Sequence, residues 1–262
     1  MLIHTVFDIL AWIAAFLTAR FVSWRGYLAA TMSIRTPSSD PGYFTALGLG
    51  AVAGALAFGS LNLGLAGRWE FGHSIAGAIA GGIVAIEIFK RAKGIRESTG
   101  VQFVAPLAVG IAVGRLGCFF SGLPDYTYGT PTSLPWGVDF GDGLVRHPVQ
   151  LYESLSMLAF LAVYLTGISS ESRFFLKQGF YVFVGWYAAQ RFLWEFLKPY
   201  PAVIGPLNVF HLICMALFCY SLFMVRRGFH DLRATVPGLQ LLRTDHVVVR
   251  DVSPAGSGQD SD

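Results

Sequence analysis

Two arginines, Arg115 and Arg191, lie within apolar runs of the sequence that are long enough to cross a membrane. Charged side chains inside a bilayer are energetically expensive, so such residues commonly have a function. A guanidinium group offers a planar fork of N–H donors that matches phosphate oxygens. We therefore interpret both arginines as candidate phosphate-binding catalytic residues. For Arg115 the alternatives are a salt bridge or extension of the side chain to the membrane interface. For Arg191 the alternative is an i to i+4 ion pair with Glu195.

A second polar group lies between the two arginines, where hydrogen-bonding and titratable residues are concentrated. Pro148 predicts the start of a helix, which places Gln150 and Glu153 on one helical face. Histidine is a common acid or base in enzymes, so His147 is a candidate base, with a structural role before Pro148 as the alternative. The pattern indicates a polar site at one mouth of a helix bundle, with a polar cap at the membrane surface as the alternative. The candidate residues are Arg146, His147, Gln150, Tyr152 and Glu153.

The composition predicts an all-α polytopic membrane protein. Hydrophobic residues make up 54% of the 262 residues, charged residues only 13%, and 30 residues are glycine. The apolar runs are continuous and near the length of about 20 residues that a helix needs to span a bilayer. Residues 1–227 are predicted to form one seven-helix transmembrane domain and residues 228–262 a partly disordered tail. The predicted spans are Val6–Trp24, Tyr43–Ala66, His73–Phe89, Val101–Phe120, Val149–Ile168, Gly179–Leu197 and Ile204–Val225.

Basic residues predict the orientation of the chain, because positively charged loops stay in the cytoplasm. With the N-terminus outside, fourteen of the 19 Lys and Arg residues fall on the cytoplasmic side, including Arg35, Arg243 and Arg250. Only Arg68, Arg146 and Lys198 fall outside. The connector 123–147 is then extracytoplasmic and the C-terminus cytoplasmic.

Glycines recur in the second and third predicted spans. Small residues at such spacing let helix backbones approach closely in a membrane. We expect these two helices to pack tightly through Gly48, Gly50, Gly54, Gly59, Gly77, Gly81 and Gly82.

Several classes of function are not indicated. The start of the sequence lacks the basic leader and cleavage pattern of a removable signal peptide, so we expect the first helix to persist. The three cysteines lie in apolar runs and suggest no disulfide framework. No metal centre is predicted, because no spacing repeats metal ligands on one face of a helix or strand. Asp125, Asp139 and Asp142 are predicted to lie in solvated turns. The basic residues fit loops facing anionic lipid and indicate no nucleic-acid binding.

Three blocks of the sequence resemble the bacterial prolipoprotein diacylglyceryl transferase family. Residues 114–122 resemble the family pattern Gly-Arg-x-Gly-Asn-Phe-x-Asn-Gly-Glu. Residues 146–153 resemble Arg-His-Pro-Ser-Gln-Leu-Tyr-Glu, preceded by a similar Leu-Pro-Trp-Gly segment at 134–137. Residues 191–199 resemble the family's sixth-helix segment, with Lys198 replacing an Arg. The clear similarity covers residues 101–225.

The resemblance implies a reaction and a location. Such enzymes transfer the diacylglyceryl group of phosphatidylglycerol to the thiol of a lipobox cysteine in the signal-peptide region of a prolipoprotein. The expected place is the outer face of the bacterial inner membrane, without a metal or organic cofactor. Arg115 and Arg191 would hold the lipid head group and stabilise the departing phosphate. The residues implied to contact substrate are Arg146, Gln150, Tyr152, Glu153, Glu195 and Ser121.

Several polar residues of the family pattern are replaced in this sequence. Ala76 stands where the family has a histidine proposed as the base, and His73, one helical turn away, is the candidate replacement. Cys118 and Ser121 replace two asparagines, and Leu123 replaces a glutamate. The thiol of Cys118 is either a nucleophile or inert packing. These changes leave open a divergent paralogue with another donor or acceptor, or a non-catalytic protein that binds phospholipid or a partner.

Overall fold

Long helices make up most of the structure, a computed structural model that describes residues 2–28, 40–96 and 98–234. Within these residues there are seven α-helices, which confirms the all-α class. They are α1 Leu2–Trp24, α2 Pro41–Leu65, α3 Ile75–Lys93, α4 Val104–Ser121, α5 Val149–Ser169, α6 Arg173–Glu195 and α7 Val209–Ala234. Arg35, Arg243, Arg250 and most of the predicted tail lie outside the described residues.

Five of these helices are long and apolar enough to cross a membrane. The candidate spans are Ile3–Trp24, Pro41–Leu65, Val101–Ser121, Val149–Ser169 and Val209–Phe229. The other two predicted spans correspond to α3 and α6. Their charged residues, such as Lys90 and Arg91 in α3 and Arg173 and Lys177 in α6, lower the mean hydropathy of these helices.

The last helix differs from the prediction at both ends. The predicted start at Ile204 was wrong, because Ile204 and Leu207 form a turn joined by backbone hydrogen bonds. The helix begins at Val209, after Asn208, whose Oδ1 accepts hydrogen bonds from the backbone N–H groups of Phe210 and His211. The predicted domain boundary at residue 227 lies inside α7, which continues to Ala234.

Helices α2 and α3 pack closely through several of the predicted glycines. The prediction for Gly48 was wrong, because a Cβ atom there would meet nothing within 4 Å. A Cβ atom on Gly54 would lie 2.2 Å from the carbonyl oxygen of Gly77, and one on Gly81 would lie 2.1 Å from that of Gly50. No side chain larger than hydrogen fits at these crossings. The helix α1 packs on α4 in a similar way, since a Cβ atom on Gly117 would lie 2.5 Å from that of Phe7.

A short hairpin lies between α4 and α5. Its strands, β1 Val138–Asp139 and β2 Val145–Arg146, pair in antiparallel register. Asp139 accepts hydrogen bonds from the backbone N–H groups of Gly141 and Gly143, which closes the turn as expected for this aspartate. The chain then enters α5 at Val149, directly after Pro148, which confirms the predicted helix start.

Candidate active site

The two arginines singled out in the sequence meet at one buried carboxylate. The Nε of Arg115 on α4 lies 2.5 Å from Oε2 of Glu153 on α5. Arg191 on α6 donates from Nη1 to the other oxygen, Oε1, of the same carboxylate. The relative exposure of the three residues is 5%, 1% and 4%. Three helices from different parts of the sequence therefore bring both guanidinium groups to the carboxylate of Glu153.

A lysine completes the set of cations around Glu153. Lys198 follows the end of α6, and its Nζ donates to Oε1 of Glu153 at 2.7 Å. Its side chain is fully buried. Burial and the adjacent Arg191 guanidinium lower the pKa of Lys198 to about 8, although Glu153 opposes that shift. The sequence placed this lysine outside the membrane and did not foresee its role in the cluster.

A second carboxylate holds Arg191 from the other side. The Nε of Arg191 lies 3.0 Å from Oε2 of Glu195, one helical turn further on. Asn208 donates from Nδ2 to the remaining oxygen of Glu195 at 3.2 Å. The predicted i to i+4 pair is thus confirmed, and it coexists with the contact to Glu153. For Arg115 the predicted alternative of a salt bridge is confirmed by the contact with Glu153, and the buried side chain does not extend to the surface.

The cluster carries one more positive charge than negative charge. Its cations are Arg115, Arg191 and Lys198, and its carboxylates are Glu153 and Glu195. Within the described residues, the hydrogen bonds of the two guanidinium groups come from Nη1, and none engages Nη2. An excess cation in a water-poor interior attracts an anion. The arrangement therefore suits an additional group with a single negative charge, such as a phosphodiester.

Unpaired polar side chains surround the cluster. Gln150 lies one turn before Glu153 on α5, is fully buried, and finds no hydrogen-bond partner for its amide among the described residues. The Oγ of Ser121 and the hydroxyl of Tyr187 are likewise buried and unpaired within that part of the chain. Buried polar groups normally have partners, so these atoms are available to a ligand or to water. Both predicted residues, Gln150 and Ser121, fall in this group.

His147 and Tyr152 belong to an aromatic wall beside the cluster. The Nδ1 of His147 lies 3.4 Å from the hydroxyl of Tyr152, which accepts a hydrogen bond from Nε1 of Trp136 at 2.8 Å. The ring of Tyr152 packs on Trp194 of α6. His147 is half-buried. The structure thus brings these two predicted residues into contact with each other.

Arg146 has a different environment from the buried arginines. Its guanidinium contacts Asp142 at 2.5 Å and stacks over the ring of Tyr128. Arg146 lowers the pKa of Asp142 below its usual value by donating a hydrogen bond to the carboxylate. Asp142 is therefore an ion-pair partner rather than only a turn residue. Arg146 lies in the hairpin, with its side chain 12% exposed.

His73 is not joined to this cluster. It is exposed, two residues before the start of α3, and follows the close crossing of Gly59 and Gly72. In the chain as described, no hydrogen bond or ion pair connects it to Arg115 or Arg191. Its role as a base stays a prediction.

One group of residues was not foreseen from the sequence. Asp125 was expected to lie in a solvated turn, but its Oδ1 lies 3.2 Å from Nε2 of His4, and the thiol of Cys118 lies 3.8 Å from the same nitrogen. The expectation was wrong because α1 packs on the end of α4 and covers this turn. No spacing in the sequence signals the contact, since His4 and Cys118 are 114 positions apart.

The helices and the buried cation cluster define a class of protein. It is a multi-helix membrane protein with a polar, positively charged site inside its apolar bundle. Few known membrane proteins keep several ion pairs at such a place without using them to bind a charged ligand or to move one.

Comparisons with known proteins identify the family. The sequence model of the prolipoprotein diacylglyceryl transferase family matches residues 6–227. A phosphatidylglycerol–prolipoprotein diacylglyceryl transferase of Geobacter sulfurreducens is 33% identical over 233 residues, covering 82% of this chain and 86% of the relative. The protein of the same name from Bordetella parapertussis is 41% identical over 135 residues, half of each chain. The chain belongs to this family of membrane enzymes, which are transferases of lipoprotein biosynthesis. No solved structure matches the chain.

Proposed function

We propose that this protein transfers the diacylglyceryl group of phosphatidylglycerol to the thiol of a lipobox cysteine in a prolipoprotein. The observation that carries the proposal is the convergence of Arg115 and Arg191 on Glu153. Both are the arginines that the resemblance implies as head-group ligands. Family membership and the excess positive charge of the cluster support the same assignment.

The chemistry follows from the charges of the cluster. The acceptor thiolate attacks the carbon of the diacylglyceryl group that carries the phosphate. A carbon–sulfur bond forms as the bond between this carbon and the phosphate oxygen breaks. The electron pair of the broken bond leaves with the phosphate oxygen, giving glycerol phosphate. Fixed guanidinium groups in a water-poor site stabilise this developing negative charge without reorganising. The uncommitted Nη2 atoms of Arg115 and Arg191 are the donors that we assign to the phosphate oxygens.

The remaining site residues have roles that differ by position. Glu153 and Glu195 hold the two guanidinium groups in place. Gln150 and Ser121, buried and unpaired, are assigned to the polar head of the donor. Arg146, His147 and Tyr152 line the aromatic wall and hairpin, where the prolipoprotein segment would enter.

The membrane arrangement belongs to the same proposal. All seven helices cross the bacterial inner membrane, with the N-terminus and the hairpin outside and the C-terminus in the cytoplasm. Helices α3 and α6 tolerate their polar residues because the charges lie at helix ends or inside the bundle. The reaction then takes place at the outer face, where the signal peptide of a precursor arrives.

The test is a direct transfer assay. Purified protein in lipid nanodiscs is incubated with labelled phosphatidylglycerol and a lipobox peptide, and the thioether product is measured by mass spectrometry. The Geobacter sulfurreducens relative serves as the positive control. We expect product with the native chain and a loss of about 100-fold to 1,000-fold with Arg115→Ala, since one donor to the charged group is removed.

A matched control and a second function complete the design. Arg25 is exposed after the end of α1, so Arg25→Ala should retain full activity.

The alternative of a non-catalytic lipid-binding protein is favoured by Ala76, which replaces the family's histidine. In that case phosphatidylglycerol would raise the thermal stability of the native chain, yet no thioether would form. His73→Ala separately tests the predicted base, and unchanged turnover would remove it from the mechanism.

A further inference from the structure

Three side chains with different metal-binding chemistries meet beside the arginine cluster. His4 lies in the first turn of α1, Cys118 in the last turn of α4, and Asp125 in the 3-10 turn Leu123–Asp125. One ligand atom from each lies within 4.8 Å of the others. We infer that His4, Cys118 and Asp125 form a binding site for a divalent zinc-class cation.

The interatomic distances fit tetrahedral coordination. Metal–sulfur and metal–nitrogen bonds of about 2.3 and 2.1 Å at a tetrahedral angle put sulfur and nitrogen about 3.6 Å apart, and nitrogen and oxygen about 3.4 Å apart. The Nε2 of His4 lies 3.8 Å from Sγ of Cys118 and 3.2 Å from Oδ1 of Asp125. Both distances from His4 are therefore close to the tetrahedral values, and the ligand atoms of Cys118 and Asp125 lie within 4.8 Å of each other. Side-chain adjustment at Cys118 and Asp125 would bring all three atoms onto one cation.

Each of the three ligands is held by a further side chain. The Nδ1 of His4 lies 2.8 Å from Oδ2 of Asp8, which directs Nε2 toward the site. The hydroxyl of Thr127 donates to Oδ2 of Asp125 and leaves Oδ1 facing His4. Arg115 lies with Nη1 3.8 Å from Sγ of Cys118. Metal sites characteristically orient their ligands through such outer contacts, most often a carboxylate behind a histidine.

The ligand types select the metal. Thiolates favour zinc, copper(I) or iron–sulfur clusters, imidazole favours zinc, copper, iron and nickel, and zinc also accepts a carboxylate oxygen. Zinc is the cation common to all three preferences. Three protein ligands leave a fourth tetrahedral position open, as in zinc sites that act on a substrate. Cys118 is buried and Asp125 nearly so, while His4 is partly exposed, so the open position can be reached from the surface.

The location suggests what the open position binds. Arg115 contacts both Glu153 of the cation cluster and Cys118 of this site, so the two sites share a wall. If the proposed transfer is correct, a cation held by His4, Cys118 and Asp125 would lower the pKa of the acceptor thiol, whose proton would pass to water before the thiolate attacks the glycerol carbon. The site would then promote deprotonation of the acceptor thiol, which Ala76, in place of the family's histidine, cannot do. This role depends on the proposed function, but the binding of zinc does not.

The family pattern does not contain this site. Cys118 stands where the family has asparagine, and His4 precedes the matched residues 6–227. The site is therefore a feature of this chain's own residues rather than one carried over by resemblance.

Metal binding is tested on the full chain in nanodiscs. The protein is stripped with a chelator, dialysed against buffered Zn²⁺, and its metal content is measured by mass spectrometry. We expect a single tightly held equivalent in the native chain. Asp8→Asn should weaken binding about 10-fold to 100-fold, and Cys118→Ser and Asp125→Asn should weaken it more. The matched controls Cys219→Ser, on the exposed face of α7, and Asp139→Asn, in the hairpin turn, should bind as the native chain does.

Cobalt reports a thiolate ligand directly in the native chain, before any variant is compared. Co²⁺ bound to a thiolate gives a charge-transfer band in the near ultraviolet, which we expect in the native chain and in Cys219→Ser but not in Cys118→Ser. The absence of this band from the native chain, or equal zinc binding by the native chain and Cys118→Ser, would overturn the site. Zinc binding without transferase product would leave the site standing and reject the proposed reaction. Full activity of the metal-free protein would reject the metal-activated thiolate alone.

Discussion

At the scale of single residues, Glu153 organises the site. It accepts contacts from Arg115, Arg191 and Lys198, although its own side chain is almost entirely buried. A carboxylate in this position offsets charges that would otherwise repel one another at close range. Removing it leaves three cations facing Glu195 alone. The residue therefore acts on the arginines rather than on the bonds that react.

Glu153→Gln tests this role. We expect the free energy of unfolding to fall by about 3–5 kcal/mol, because breaking a buried ion pair leaves uncompensated charge. The matched variant is Glu70→Gln, which breaks the exposed pair with Arg68 and should cost about 0–1 kcal/mol. Thermal unfolding in one detergent compares the two. Equal shifts in melting temperature would show that Glu153 does not hold the cluster together.

Lys198 predicts a pH dependence of stability. Unfolding returns its pKa from about 8 to the ordinary value of 10.5, so the unfolded chain binds more protons between these pH values. Stability should therefore rise as the pH increases through this window. Lys198→Met should remove the rise, and Lys93→Met, at an exposed lysine, should preserve it. The measurement is the melting temperature of each protein at a series of pH values, and a curve for Lys198→Met that parallels the native one would contradict the assignment.

At the scale of elements, close helix contacts determine which residues meet. Gly54 and Gly77 bring α2 against α3, while Gly117 brings α1 against α4 and so places His4 next to Cys118. The pairing of α4, α5 and α6 places Arg115, Glu153 and Arg191 together. The small residues allow the helices to approach closely, and this packing in turn brings the charged residues of the site together.

Gly54→Ala tests the crossing of α2 and α3. A Cβ atom at residue 54 would overlap the carbonyl oxygen of Gly77, so the helices must separate at a cost of about 1–3 kcal/mol or more. Gly48→Ala is the control, since a Cβ atom at residue 48 meets nothing within 4 Å. Melting temperatures measured in detergent should fall for the first and not for the second. A Gly54→Ala protein as stable as Gly48→Ala would mean that the two helices are not in this contact.

At the scale of the whole molecule, the distribution of basic residues determines the proposed orientation. The hairpin lies at the end of the bundle that contains Arg115 and Glu153, and the C-terminal turns of α3 carry Lys90, Arg91 and Lys93. The positive-inside rule places that basic end in the cytoplasm. The proposed reaction requires the hairpin end to face outward.

Cysteine labelling tests this orientation. In a Cys219→Ser background, Ser133→Cys places a thiol on the exposed connector, and Lys93→Cys places one at the end of α3. A membrane-impermeant maleimide should label Ser133→Cys in intact cells and Lys93→Cys only after lysis. The reverse pattern would place the site in the cytoplasm and exclude the proposed acceptor.

The sequence by itself determined the helical class, the approximate ends of most helices, the glycine crossing of α2 and α3, and the two arginines. These features follow from local composition and spacing, which are visible in a single chain. Only the tertiary structure decided that Glu153 joins both arginines, that Lys198 is buried beside them, and that His4 and Asp125 meet Cys118. Contacts between residues far apart in sequence depend on how whole helices pack, and no spacing within one helix encodes that packing.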